Sequence, residues 1–331
     1  MVAIMKAHRQ QGQQVLRDRH MFKPDRLQKR DVAGQADHGD PHCMQALPLV
    51  SASTFHDILS HGAFPREKYV PRDKSKTRTS VLHRGQRKLL MSEIGALVKL
   101  DPSIRYTAVY AGAAPGNHTP LLAKLFPNIT FHLYDPSKFR ISETDRIKIF
   151  NVCFTDEIAH LYTPATHDQL VFICDIRRTF DERMVWEDMQ AQMRWHEIMQ
   201  PKLTSLKLRL PWPGNGVIAQ SNTIEYLSGD IHLPIWGRHN TTESRLVIEQ
   251  GVHSGTCMYD CLAYEEEMCY FNRVVRPSLH PWQMIRGDYL DGCYDCTAEL
   301  ALIQKYSKIW HHTELSSARI SKELRRDLAP S

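Results

Sequence analysis

The stretch that most limits what this chain can fold into is RYTAVYAGAAPGNHTPLLAKLFPNITFHLYD, residues 105–135. A β-prone apolar run at 106–111 meets a turn of small residues, a helical pattern follows at 119–126, and a second apolar run at 129–134 ends in Asp135. Runs that are apolar at nearly every position suit strands buried on both faces, lying parallel with the helix crossing between them. One such β-turn-α-β unit commits its surroundings to a layered α/β arrangement.

The rest of the pattern agrees with it. Residues 170–174 (LVFIC) read as a further strand ending at Asp175, followed by a Met- and Trp-rich amphipathic helix at about 184–200. Strands are expected at 204–210, where Lys207 and Arg209 alternate with leucines, and at 244–249. Leu89, Leu90, Ile94, Leu97 and Val98 recur at helical spacing and predict a helix over 84–100. Helices are also expected over 256–273 and 296–311. The predicted fold class is therefore α/β, a mostly parallel sheet flanked by helices, with no internal repeat and no separable second domain. Residues 1–54 are polar and basic without a sustained period and read as a mobile arm, 55–315 as the folded domain, and 316–331 as a flexible tail.

Composition removes several classes of function. With 331 residues, 42% hydrophobic and 24% charged, the chain can build a core. It contains no run approaching the roughly twenty apolar residues of a membrane span, and the start MVAIMKAHRQQGQQ turns polar too soon for a signal peptide. A soluble intracellular protein with no membrane partner is expected. Of the eight cysteines only CYDC at 293–296 has a zinc-like spacing. A tetrahedral zinc needs about four ligands and no second pair follows, so reduced thiols are the plainer account and no metal site is assigned. Between Arg66 and Lys88 stand nine basic residues against Glu67 and Asp73, a local excess larger than the +5 of the whole chain. A concentrated positive surface of that kind suits a polyanion such as nucleic acid; a solvated basic loop is the alternative.

Ligands of open α/β sheets sit at the carboxyl ends of the strands, where strand order reverses. The turn Ala111-Gly112-Ala113-Ala114-Pro115-Gly116 lies at such an end, and its small residues let backbone approach a ligand closely. It lacks both the GK[ST] ending of a phosphate-cradling loop and the GxGxxG of a dinucleotide site. Asp135, about twenty residues on, is positioned to accept hydrogen bonds from ribose hydroxyls. S-adenosylmethionine fits this pattern best, with a dinucleotide and a plain strand–helix turn as the other readings.

Seven blocks then carry a resemblance: HRGQRKLL (83–90), VYAGAAPGNH (109–118), FTDE (154–157), FICDIR (172–177), SLKLRLPWP (205–213), ESRL (243–246) and YEEEMCYFN (264–272). In this order and spacing they resemble the poxvirus-type cap-specific mRNA nucleoside 2′-O-methyltransferases, which in that family double as the regulatory, processivity subunit of a viral poly(A) polymerase. The resemblance implies a Rossmann-like, S-adenosylmethionine-dependent fold and a catalytic tetrad of Lys88, Asp175, Lys207 and Glu243. It also implies cofactor contacts at Gln86, Leu89, Tyr110, Gly112, Gly116, His118, Asp135, Phe154 and Arg177, with Asp175 shared. Cap contacts are implied at Trp212 and Glu265, and Tyr69 stands at the spacing of a second stacking aromatic. Where the family has an acidic residue two after the stacking aromatic, this chain has Gly214. Capped mRNA and a poly(A) polymerase catalytic subunit are the implied partners.

The chemistry explains the residue types. A ribose 2′-hydroxyl is a poor nucleophile at neutral pH, so methyl transfer to it needs a base for its proton and a fixed alignment. Lys88, Lys207 and nearby Arg209 disfavour one another's charge, which points to a neutral Lys207 as general base, with Asp175 and Glu243 orienting the amines and Lys88 steadying the substrate. Stacking of a cationic 7-methylguanine on Trp212 and Tyr69 would use the attraction of a cation for an aromatic face, with Glu265 on the guanine edge. Plainer roles exist for each: a loop anchor for Trp212, a solvated helix face for Glu265–Glu267, a helix cap for His118. An RNA methyltransferase indifferent to the cap and a non-catalytic polymerase subunit are the rival functions.

Overall fold

Side chains buried on both faces of the central strands dictate the architecture. The computed structural model describes residues 58–59, 62, 65–69, 84–179, 181–212, 222–238, 240–276 and 294–311. The arm and tail readings, Gly214, Cys293 and most of the basic segment lie outside these residues. The strands are β1 (Ile58–Leu59), β2 (Tyr106–Ala111), β3 (Ile129–Tyr134), β4 (Ile147–Phe150), β5 (Leu170–Cys174), β6 (Leu203–Leu208), β7 (Thr223–Leu227), β8 (Asp230–His232), β9 (Ser244–Glu249) and β10 (Thr256–Asp260). The helices are α1 (Arg84–Leu97), α2 (Thr119–Leu125), α3 (Asp156–Ala159), α4 (Glu182–Met199), α5 (Cys261–Tyr270) and α6 (Tyr294–Tyr306). Single π-turns extend α5 through Val275 and α6 through His311.

The main sheet has eight strands in the order β1-β8-β9-β6-β5-β2-β3-β4. From β6 to β4 every pairing is parallel, whereas β9, β8 and β1 are added antiparallel along one side. The chain builds outward from β2 through β3 to β4, then returns to the other side of β2 to lay down β5 and β6. Strand order therefore reverses between β2 and β5, where an open sheet leaves a crevice at its carboxyl end. Helices α1 and α2 and the later part of α6 cover one face, packing Leu90, Ile94, Leu122, Phe126, Ile303 and Tyr306 on the sheet. Helices α3, α4 and α5 cover the other with Ile158, Val185, Met189, Trp195 and Met268.

Local signals set the helix ends. The Asp181 carboxylate accepts from the backbone N–H groups of Arg183 and Met184 and starts α4, and Thr155 caps α3 in the same way. The expected helix over 256–273 is corrected: Thr256–Asp260 is a strand paired antiparallel with β7, and the helix starts only at Cys261. The cause is Asp260, whose side chain accepts from Ala263 N at 2.9 Å and fixes the helix start there. Helix α1 also stops at Leu97 rather than 100, and β6 spans 203–208 rather than 204–210. Among the described residues no helix is long and apolar enough to cross a membrane.

Candidate active site

Three neighbouring strands bring charge together at the carboxyl end of the sheet. Cys174 pairs with Leu206, so the next residue along each strand sets Asp175 level with Lys207, and Lys207 pairs in turn with Arg245 on β9. Asp175, Lys207 and Arg245 thus form a row across β5, β6 and β9. Lys207 Nζ lies 3.1 Å from Asp175 Oδ1 and 3.8 Å from Glu243 Oε2, and also donates to the Asp175 backbone carbonyl at 3.3 Å. Arg245 Nη2 donates to Asp175 Oδ1 at 2.5 Å and lies 3.6 Å from Glu243 Oε1. Lys88, arriving from the first turns of α1, closes the group by donating to Glu243 Oε1. All four tetrad residues meet.

Arg245 is the member that sequence reasoning missed. It sits inside the ESRL block two residues after Glu243, and in a strand that spacing returns to the same face. Arg209, expected beside the lysines, is instead engaged by Glu182 and stands over the ring of Trp212.

The electrostatics of the cluster follow from burial opposed by charge. Burial raises the Asp175 carboxyl, but Lys207, Arg245 and Lys88 outweigh it and hold the group well below the usual carboxylate range. Glu243 behaves likewise: burial opposes ionisation, yet Lys207, Lys88 and Arg245 bring it down to about 2. Burial also disfavours the Arg245 charge, and Asp175 and Glu243 reverse this, holding the guanidinium more firmly protonated than usual. Both carboxylates are consequently ionised at neutral pH.

The crevice at the switch point lies alongside. The turn after β2 carries Gly112 and Gly116 with φ of +80° and +77°. A Cβ on Gly112 would stand 2.8 Å from Ile176 N, so only glycine lets this turn lie against the strand end that carries Asp175. Asp135, at the end of β3, accepts from the backbone N–H of Ser137 at 2.7 Å and of Ala114 at 3.3 Å, which ties it to the same turn. Gln86, Leu89 and Arg177 are each partly buried, and Gln86 Oε1 meets His118 Nδ1 at 2.8 Å.

Three of the residues expected to contact the cofactor, Tyr110, His118 and Phe154, have buried side chains. Tyr110 OH donates to Glu93 Oε1 at 2.6 Å, and His118 Nε2 lies 2.9 Å from the same oxygen; both rings are buried beneath the turn. His118 is the residue before α2 but its side chain makes no cap bond. Phe154 is enclosed by Tyr134, Phe172 and Trp195.

A second site stands beyond β6. Trp212 is 37% exposed, its backbone N–H donates to Glu182 Oε2 at 2.9 Å, and the Arg209 guanidinium carbon lies 4.9 Å from its ring centroid. Tyr69, distant in sequence, stands 5.3 Å from the same ring at an interplanar angle of 50°. Glu265 faces this corner from α5 and is only 9% exposed, so it is not part of a solvated face. Burial first, then Glu266, raise its carboxyl above the usual range. Among the described residues no group of three or more His, Cys, Asp or Glu side chains stands together as a metal site.

Comparison with known proteins gives these sites a context. Cap-specific mRNA (nucleoside-2′-O-)-methyltransferases of Myxoma virus, strains Lausanne and Uriarra, are each 28% identical to this chain over 257 residues, covering 69% of it and 71% of the relative. A model of the poly(A) polymerase regulatory subunit family matches residues 53–322. With most of its length matched, the chain belongs to the poly(A) polymerase regulatory subunit family.

Proposed function

We propose that this chain is a Rossmann-like methyltransferase that transfers a methyl group from S-adenosylmethionine to the ribose 2′-oxygen of the first transcribed nucleotide of mRNA bearing a 7-methylguanosine cap. The row of Asp175, Lys207 and Arg245, closed by Glu243 and Lys88 beside the glycine turn, carries this reading. The close approach at Gly112 and the carboxylate of Asp135 suit a nucleoside with free ribose hydroxyls, and the names of the viral relatives support the same chemistry. When bound, S-adenosylmethionine supplies a methyl group on a positively charged sulfur. Gly112 and Gly116 admit it, Asp135 takes its ribose hydroxyls, and Gln86, Leu89 and Arg177 border it; Tyr110, His118 and Phe154 shape the floor from below.

Lys207 would act as general base, taking the proton of the 2′-hydroxyl at Nζ. Arg245 makes this arrangement workable, because it balances Asp175 whether or not Lys207 is charged. Lys88, held by Glu243, steadies the substrate oxygen, and Asp175 aims the Lys207 amine. Trp212, Tyr69 and Glu265 would hold the methylated base. Within the basic stretch from Arg66 to Lys88, Arg66, Arg87 and Lys88 pair with Glu266, Glu299 and Glu243, and the other basic side chains of the stretch would meet RNA phosphates, so affinity falls with added salt. The family match supports a second role as regulatory subunit of a poly(A) polymerase. Both roles are assigned to the domain spanning 55–315, and the cytoplasm is proposed as their place on the resemblance alone.

The test is transfer of labelled methyl to short RNAs carrying a 7-methylguanosine cap, an unmethylated cap or no cap. Activity confined to the methylated cap is expected, with a loss of about 10²–10⁴ in turnover for Lys207→Ala and unchanged binding of S-adenosylmethionine. Equal activity on uncapped RNA would replace the cap reading with a general RNA 2′-O-methyltransferase.

A further inference from the structure

The acidic run Glu265-Glu266-Glu267 has more charge than a guanine edge requires, and the structure shows where the surplus goes. Described residues 62 and 65–69 run across α5 as a strap and are fastened to it at successive points. Gly62 N donates to Glu267 Oε1 at 2.8 Å. Arg66 Nε donates to Glu266 Oε2 at 2.8 Å, and Glu67 N donates to the Glu266 carbonyl at 3.1 Å. Glu67 Oε1 is paired in turn with Arg273 at 2.7 Å, and the Cys269 thiol approaches the Lys68 carbonyl at 3.5 Å. The next residue is Tyr69, whose ring lies against Trp212. Every one of these bonds joins the strap to a stretch of α5 and its π-turn only seven residues long, Glu267 to Arg273, or to Glu266 just before it.

An aromatic base held between two rings needs them about 7 Å apart, twice an ordinary contact of about 3.5 Å. At 5.3 Å and 50° Tyr69 and Trp212 do not yet leave that space, so the Tyr69 ring must turn away to admit a base. Turning one side chain costs little if its backbone is already in place, and much more if the backbone must be ordered at the same time. Glu265 remains free of the strap bonds and faces the aromatic corner, while its two neighbours hold the strap.

We propose that Glu266, Glu267 and the Glu67–Arg273 pair are positioning residues that clasp the strap to α5 and present Tyr69 opposite Trp212, and that this clasp sets selectivity for a methylated, cationic guanine. The inference rests on the cap-binding reading of Trp212 and Tyr69 and deepens it.

The test is a charge exchange across the clasp in the full chain. Binding of the dinucleotides m7GpppA and GpppA is measured by calorimetry for the wild type, Glu67→Arg, Arg273→Glu and the double exchange, together with kcat, KM for capped RNA and affinity for S-adenosylmethionine. Each single change should weaken m7GpppA binding about three- to fivefold, the scale of a partly exposed ion pair, with GpppA affected less. KM for capped RNA should rise with it while kcat and S-adenosylmethionine affinity stay unchanged, and the double exchange should restore m7GpppA binding to within about twofold. Glu266→Gln, which keeps the backbone bond and loses only charge, should reproduce the single-variant loss and guards against variants that fail to fold. Wild-type affinity in the single variants, or no recovery in the double, overturns the clasp and leaves the cap reading standing. A wild type that binds m7GpppA and GpppA equally overturns both.

Discussion

Among single residues, Arg245 does most to make the cluster workable. It is 6% exposed, lies on the antiparallel strand β9, and reaches past Lys207 to the carboxylate of Asp175. Removing a buried charge from a pair usually costs about 3–5 kcal/mol, because the partner is left desolvated without compensation. Asp175 would still have Lys207, so Arg245→Ala is expected to cost less, about 2–3 kcal/mol in denaturant unfolding. Turnover should fall by about two orders of magnitude, because Asp175 loses the guanidinium that fixes its carboxylate beside the Lys207 amine. Arg245→Lys should recover stability better than turnover, since an ammonium keeps the charge but loses the planar geometry and reach by which Nη2 meets both Asp175 and Glu243. A variant with full turnover would remove Arg245 from the mechanism. Asp175 and Lys207 were readable through the resemblance carried by the FICDIR and SLKLRLPWP blocks, since a lone Lys on a strand or Asp at a strand end has plainer roles. Arg245 became readable only once β9 was known to lie beside β6. The inward turn of Tyr110 and His118 was not legible at all, since it depends on Glu93 reaching beneath them from α1.

Between elements, the least expected contact joins the start of α1 to α6. Three successive residues of α1 are held in three directions: Gln86 by His118, Arg87 by Glu299 and Lys88 by Glu243. Glu299 is fully buried, receives Arg87 Nε at 2.7 Å and Trp236 Nε1 at 2.7 Å, and the Arg87 guanidinium carbon stands 4.5 Å from the Trp236 ring centroid. Nearby, Arg276 and Asp295 pair at 2.7 Å and tie the end of the α5 π-turn to the first turn of α6. Glu299→Ala should therefore destabilise the protein by about 3 kcal/mol in urea, while Arg87→Met combined with Glu299→Leu should recover most of that loss by replacing the ion pair with apolar packing. Equal losses in the single and double variants would mean that helix packing, and not charge, fastens α6. The parallel strands and their helices could be read in advance because β2, β3 and β5 are apolar throughout and no other arrangement buries them. Of the antiparallel additions β9 was expected as a strand at 244–249, but the others could not be read: β1 and β8 have two and three residues, and TCMYD at 256–260 is as compatible with a helix start as with a strand until β7 lies beside it.

For the molecule as a whole, two buried imidazoles make stability depend on pH well away from the active site. His132 on β3 bonds to the Tyr162 hydroxyl at 2.8 Å, and His196 on α4 bonds to the Thr204 hydroxyl at 2.9 Å, so the two sit on opposite sides of β2 and β5. Burial lowers both from 6.5 to about 4, with His167 and Lys148 adding to the effect at His132. Between those values the unfolded chain binds protons that the folded chain refuses, so unfolding is favoured as pH falls. The stabilisation is complete above 6.5, declines through the interval, and is exhausted near 4, an effect on the order of 2–3 kcal/mol for each histidine. Glu243 extends the decline, because its carboxyl is lowered from 4.5 to about 2 and its share is lost only as pH falls through that lower range. Urea midpoints measured from pH 7 to pH 4 should drop steeply for the wild type. His132→Gln combined with His196→Gln should start lower at pH 7 and flatten the curve between 6.5 and 4, leaving the fall below 4.5 intact. A double variant whose midpoint still drops between 6.5 and 4 as the wild type's does would assign the acid sensitivity to groups other than these two histidines.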